Sequence, residues 1–340
     1  MSIMYLVILI IGFLFGAILQ YANLNRYNVI SGMATLENFA VAKAIAVAIG
    51  TGAILIAIET DLGLATYHLK PFLLGGIAIG GIIFGAGMAI LGYCPGTLPV
   101  SLGEGSVDAL IGIAGALTGG LVYTLVLPAI NNILGPDIGT FSLFTLTGHH
   151  KYLFYFLLII IGASFVLGAF WLNKNEKVKN YKWLYAGIGL AVLNSIVFLS
   201  SVTDRILGAS TAYPYLADKL TGTVHNNYFT KIEGPGSWEV LLLAGAFISG
   251  IVISLVKKEF KVTIIHSNWE KYKGNSVSKR LIWSFIGGFI LIIGARMAGG
   301  CTSGHILSGG MQLSLSSLVF AVFVFTALII TGNLFYRQKK

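Results

Sequence analysis

The stretch "GGFILIIGARMAGGCTSGHILSGG", Gly287 to Gly310, lies without gaps over "GGIIFGAGMAILGYCPGTLPVSLG", Gly80 to Gly103, at a constant offset of 207. Gly80, Gly81, Gly87, Gly92, Cys94, Ser101 and Gly103 fall on Gly287, Gly288, Gly294, Gly299, Cys301, Ser308 and Gly310. Glycine matches are cheap in a chain with 43 glycines, but its only 2 cysteines match each other in the same frame. Self-similarity at a fixed offset marks a duplicated structural unit. The nature of that unit decides the fold.

Composition says where the unit sits. Of 340 residues, 56% are hydrophobic and 10% charged, with a mean hydropathy of +0.84. Soluble domains carry about 25% charged residues. Apolar runs of bilayer-crossing length recur at about 3–22, 39–60, 72–92, 106–129, 152–172, 183–201, 238–256, 281–300 and 314–335. The spacing predicts an all-α integral membrane protein of nine spans. The first run has no basic residue before its core and no convincing cleavage site, so it is expected to be retained rather than removed as a signal peptide.

Basic clusters set the orientation. Lys174, Lys177, Lys179 and Lys182 follow span five. Lys257, Lys258, Lys261, Lys271, Lys273, Lys279 and Arg280 follow span seven, and Arg337, Lys339 and Lys340 follow span nine. With the N-terminus outside, all three clusters and the C-terminus are cytoplasmic, as lysine- and arginine-rich loops prefer. The net charge of +9 therefore reports topology, and nucleic acid need not be invoked. A cell (inner) membrane location, multi-pass in membrane lipid, is expected.

The duplicated stretch pairs span three with span eight, so its two copies run oppositely through the membrane. This predicts an inverted internal repeat, with halves at 1–172 and 183–340 in one membrane domain, joined by "NKNEKVKNYK". Segments near 24–37, 94–105, 204–222 and 301–313 are too short or broken to cross. They are expected to be re-entrant, because irregular backbone at membrane depth must be buried or line a cavity. The alternative is ordinary surface loops.

Each copy breaks at its cysteine. Pro95 in "LGYCPGT" lacks an N–H and disfavours helix at Cys94, with Gly96 and Thr97 following. In "AGGCTSGH", Gly299, Gly300 and Gly304 break the helix around Cys301, Thr302 and Ser303. Freed backbone N–H groups and a following short helix would favour an anion. A lone membrane cysteine is usually a small buried hydrophobe; two repeat-matched ones at helix breaks point to pore-lining thiols. Arg296 is expected within span eight, where a buried charge is costly and faces a pore or a partner such as Glu104 or Asp108. His305 is expected one helical turn from Cys301, in a polar or anion-contacting role. Lys43 and Glu59 read as interfacial.

Cys94, Cys301 and His305 have the donor types of a Cys2His metal site, but no carboxylate or further histidine clusters with them. No metal or cofactor is expected. No Ser-His-Asp set, Walker loop or dinucleotide fingerprint occurs, so a transporter fits better than an enzyme. Small residues at four-residue spacing, such as Gly12 and Gly16, read as helix-packing positions.

"LGYCPGT", "GARMAGGCTSGH" followed by "SGG", "GFLFGAILQ" and "LGASTAYPYLADKLTG" together resemble the YeeE/YedE sulfur-transport family, over nearly the whole chain. The resemblance implies nine transmembrane helices, short elements entering from both faces, and thiosulfate import along pore cysteines through S–H···S hydrogen bonds. It also implies Cys94 and Cys301 as relay thiols and a cytoplasmic sulfurtransferase-like acceptor. The family's third cysteine, shortly after span one, is missing from "LQYANLNRYNVISG", where Asn23, Asn25 and Arg26 are the candidate replacements. Thiosulfate is the foremost substrate. The alternatives are another sulfur or selenium species, a transition-metal permease, and a membrane redox protein using the cysteines as a dithiol.

Overall fold

The computed structural model describes residues 3–176 and 179–337. Lys177, Lys339 and Lys340 of the basic clusters lie outside the described residues. Helices dominate, and the long ones are Ile3–Tyr21 (α1), Ala40–Asp61 (α2), Leu74–Leu91 (α3), Val107–Ile130 (α4), Lys151–Asn175 (α5), Lys182–Phe198 (α6), Asn227–Val256 (α7), Val277–Met297 (α8) and Leu315–Phe335 (α9). All but α6 are long and apolar enough to cross a membrane; α6 is apolar but has 17 residues.

The largest departure from the apolar runs is α7, which begins 11 residues before the run at 238. Its first turns, "NYFTKIEGPGS", are polar and invisible to hydropathy. They are helical because Asn226 caps them, its Oδ1 accepting from Phe229 N at 2.7 Å. Lys43 is another departure. It lies near the start of α2 and is fully buried, its ammonium held by Asn173 Oδ1 at 3.0 Å and by Glu176. Arg280, counted by sequence among loop cations, is also fully buried.

Shorter segments interrupt the long ones, among them Tyr27–Ala34, Thr97–Gly103, Ala212–Thr221 and a π-helix, Thr302–Gly309; Asn131–Leu134, Leu143–Leu146 and Ser267–Lys273 are further short helical pieces. One falls within each segment judged too broken to cross. From α1 to α4 the order is long, short, long, long, short, long; from α6 to α9 it is the same except for an added short helix, Ser267–Lys273, between α7 and α8.

Packing follows the same pairing. α3 lies against α8, α4 against α8 and α9 against α3, while α1 lies against α7 and α6 against α2. At the α3–α8 crossing a Cβ on Gly80 would meet Gly294 O at 2.7 Å, and one on Gly87 would meet Gly287 O at 3.1 Å. Rising numbers in α3 thus meet falling numbers in α8, and the helices are antiparallel. With the 207 offset, Gly80 touches the counterpart of Gly87 and Gly87 the counterpart of Gly80, the reciprocity of a two-fold contact. Any side chain here would strike backbone, so the crossing depends on small residues. By the same reading α1 and α7 are parallel, with Gly12 against Leu242 and Gly16 against Ala246.

Candidate pore centre

The first break starts at Gly92, which leaves α3 with φ of 78°, a left-handed turn that glycine adopts without strain. Tyr93 and Cys94 follow before the short helix resumes at Thr97. The Cys94 backbone forms a clasp with Thr97: its N–H donates to Thr97 Oγ1 at 2.9 Å, and that hydroxyl donates to Cys94 O at 3.0 Å. The amide expected to face a ligand is therefore already used. Gly96 lies beneath the Phe15 ring and Ala209, at 3.3 and 3.5 Å from an added Cβ.

Ending α3 frees carbonyls at Ile90 and Leu91, and a buried cation answers them. Arg280 Nη2 donates to Leu91 O at 2.8 Å and to Asp108 Oδ2 at 2.5 Å, with Nε to the same carboxylate oxygen at 3.0 Å. Both residues are fully buried. The guanidinium also covers the Tyr27 ring at 4.3 Å. Tyr93 Oη lies 3.2 Å from Asp108 Oδ2 and 2.9 Å from His266 Nε2, tying this lock to the loop after α7.

The second break repeats the left-handed turn at Gly299, with φ of 74°, the counterpart of Gly92. Cys301 is extended and buried, its Sγ 3.3 Å from Ser303 Oγ. Thr302 Oγ1 reaches Met88 Sδ at 3.9 Å, which joins this break to α3. Here the freed carbonyls meet different donors. His305 Nε2 donates to Ala298 O at 2.7 Å, which leaves Nδ1 beside Ser317 Oγ at 2.9 Å. Lys70 Nζ donates to Gly299 O at 2.5 Å. Gly300 has no room for a Cβ, which would meet His305 Cδ2 at 2.8 Å and Lys70 Nζ at 3.2 Å. His305 thus turns to the backbone and Ser317, and the π-helical register replaces the ordinary turn expected from Cys301.

The short segments converge on both breaks. Tyr213 Oη donates to Pro95 O at 2.7 Å, and Gly304 lies 3.9 Å from Gly208 Cα. Both thiols are free. Ser101 donates to Asn25 O at 2.7 Å, whereas its counterpart Ser308 donates to Asn194 Oδ1 at 2.9 Å, with Leu207 O further off at 3.4 Å. Two cavities open at opposite ends of α7. One, of about 800 Å³, is lined by Arg296, Gly299, Lys70, Tyr228 and Glu239. The other, of about 550 Å³, is lined by Ser101, Glu104, Arg26, Lys258 and His266.

A model of the sulphur-transport family matches residues 22–330. The chain belongs to that family. It is 26% identical over 328 residues to the Thiosulfate transporter TsuA of Spirochaeta thermophila, covering 93% of this chain and 94% of that one. The matched region holds both cysteine motifs and all four short segments. This member of the sulphur-transport family is therefore a multi-pass membrane protein in a transport family, as the motifs implied.

In this family member the three candidates for the missing cysteine separate. Asn23 is a turn residue with φ of 56°, and Arg26 is exposed and paired with Glu259 at 2.6 Å. Asn25 is fully buried against Ser101, and its Oδ1 has no partner among the described residues. Arg296 pairs with neither Glu104 nor Asp108. Its Nε donates to Tyr228 Oη at 2.7 Å and its Nη1 to Thr211 Oγ1 at 3.0 Å and Ser210 Oγ at 3.3 Å. Sequence reasoning missed Lys70, Tyr213, Tyr228 and Glu239. Only Tyr213 carried a signal, lying inside the "LGASTAYPYLADKLTG" motif.

Proposed function

We propose that this chain imports a small sulfur-bearing anion, thiosulfate foremost, through a central path in which Cys301 and Cys94 act in turn. The observation that carries the reading is the placement of two free thiols at two matched helix breaks, flanked by cavities at opposite ends of α7. Membership in the sulphur-transport family and the similarity to a thiosulfate transporter support the cargo.

The anion enters the Arg296 cavity and passes to Cys301, whose thiol is oriented by Ser303. It moves to Cys94, held by the Thr97 clasp, and leaves past Ser101 and Asn25. A thiol is a weak, polarisable donor, and conduction requires sites that release what they bind. No bond to sulfur need form. His305, Gly96, Gly300 and Thr302 act as positioning residues, since each shapes a break. A cytoplasmic sulfurtransferase-like protein is the natural acceptor of such cargo.

Helix direction supports nine crossings in two inverted halves. If α6 turned back, α1 and α7 would be antiparallel, yet they pack in parallel. At about 1.5 Å per residue, its 17 residues extend about 25 Å, near the lower limit for a span. The basic clusters then place the Arg296 cavity outside and the His266 cavity in the cytoplasm. The test is thiosulfate as sole sulfur source in a strain lacking other uptake routes. Wild type should grow and Cys301→Ala or Cys94→Ala should not; growth of both variants at the wild-type rate would refute the relay.

A further inference from the structure

We propose that Lys70 and Arg296 form a dianion-selective capture station at the mouth of the second break, with Lys70 as its movable half. The proposal deepens the sulfur-anion reading and rests on it for the identity of the cargo. The two cations line the same cavity, and neither has a carboxylate within 4.0 Å among the described residues. Buried cations that line one cavity of a membrane protein ordinarily carry partners. Here their partners are neutral: Gly299 O for Lys70, and Tyr228, Ser210 and Thr211 hydroxyls for Arg296.

The nearby carboxylate does not neutralise them by contact. Glu239 Oε2 accepts from Thr211 N at 2.5 Å and Ala212 N at 3.1 Å, capping the helix Ala212–Thr221. Donor capacity is left over instead. An ammonium has three N–H groups, and Lys70 uses one; Arg296 Nη2 meets no protein acceptor among the described residues. Trp238, 6% exposed and lining the same cavity, has an unpartnered Nε1–H. Two cations without a carboxylate in contact, and with spare donors, suit one doubly charged oxyanion better than a singly charged one. Lys70 comes from the loop between α2 and α3, so its flexible stem can follow the anion while Arg296 stays on rigid α8.

The lysine also makes the station sensitive to pH. Burial, with Arg296 beside it, pulls the Lys70 ammonium down to about 8, against the opposing pull of Glu239 and Cys301. Asp204, His68, Arg205, Lys231, Tyr123 and Tyr228 line the same cavity. The charge is present below that value and lost above it, so dianion affinity should fall as pH rises through about 8.

The test is equilibrium binding of radiolabelled thiosulfate to the purified full-length protein, with sulfate and thiocyanate as competitors. Wild type should take sulfate, a dianion without a terminal sulfur, about as well as thiosulfate, and thiocyanate at least about tenfold more weakly. Lys70→Met should lose about tenfold or more for both dianions and lose the decline above about pH 8. Lys70→Arg should retain affinity with a flat profile. Dianion binding unchanged in Lys70→Met, or thiocyanate competing as well as sulfate, would overturn the station. Cys301→Ala separates the two readings. Lys70-dependent dianion binding without thiosulfate uptake by wild type would sink the transport reading and leave the station standing. Uptake abolished by Cys301→Ala, with binding indifferent to Lys70, would do the reverse.

Discussion

The first and second breaks share a left-handed glycine, a cysteine two residues later, and a matched serine seven residues beyond it. They differ in what answers the carbonyls that a broken helix exposes. At the first break Arg280 and Asp108, both fully buried, form an ion pair that also bonds Leu91 O. At the second, His305 and Lys70 bond Ala298 O and Gly299 O, and Lys70 sits on the wall of an open cavity. The two breaks thus share a backbone path and differ in the donors that meet it. The result is one break locked from inside and one whose donor a ligand can reach.

The sharpest way to break this contrast is to remove the lock. Arg280→Ala leaves Asp108 as an unpaired buried carboxylate and should cost about 3–5 kcal/mol, read as a lowered thermal unfolding midpoint in detergent. Arg280→Lys should recover only part, because an ammonium lacks the planar fork that reaches carboxylate and carbonyl together. A stable Arg280→Ala protein would mean that something else closes the first break. The thiols test functional equivalence next. Cys301→Ala and Cys94→Ala should each lower thiosulfate uptake in proteoliposomes roughly 10- to 100-fold, ~1.4–2.7 kcal/mol of barrier, with unfolding unchanged. A defect confined to one of them would show that the matched breaks do not share the work.

His305→Ala should be milder than Arg280→Ala, since it strands a neutral carbonyl rather than a charge. A loss of about 1–3 kcal/mol in the unfolding assay is expected. The smallest effect sharpens the symmetry itself. Ser101→Ala and Ser308→Ala each remove the hydrogen bond donated by one of the matched serines, to Asn25 O and to Asn194 Oδ1, and should cost about 0.5–1.5 kcal/mol. Equal losses fit a repeat still in register, and a silent Ser308 would place the divergence beyond the donors described above.

Much of the architecture was legible because its causes are local. Apolar runs mark the long helices to within a few residues wherever both ends are apolar. The method fails at α7, whose polar first turns depend on the Asn226 cap. Pro95 and the glycines announce the breaks, since their backbone preferences act without neighbours. Arg280 shows the opposite case. It looked like one more loop cation, and its partner Asp108 is 172 positions away. Lys70 gave no signal, because Gly299 is 229 positions distant.

The sequence alone determined that this chain is an all-helical membrane protein, that two of its stretches match at an offset of 207, and that a cysteine stands at the break in each. These follow from hydropathy, spacing and the restricted backbone chemistry of proline and glycine, which operate over a few residues. Only the tertiary structure decided which donors meet the freed carbonyls, that Asn25 rather than Asn23 or Arg26 is buried beside Ser101, and that Arg296 has no carboxylate partner among the described residues. A buried polar group must bond whatever the packing brings to it. In this chain those groups come from helices and loops far apart in sequence, so the two breaks could look alike in the sequence and be held in different ways.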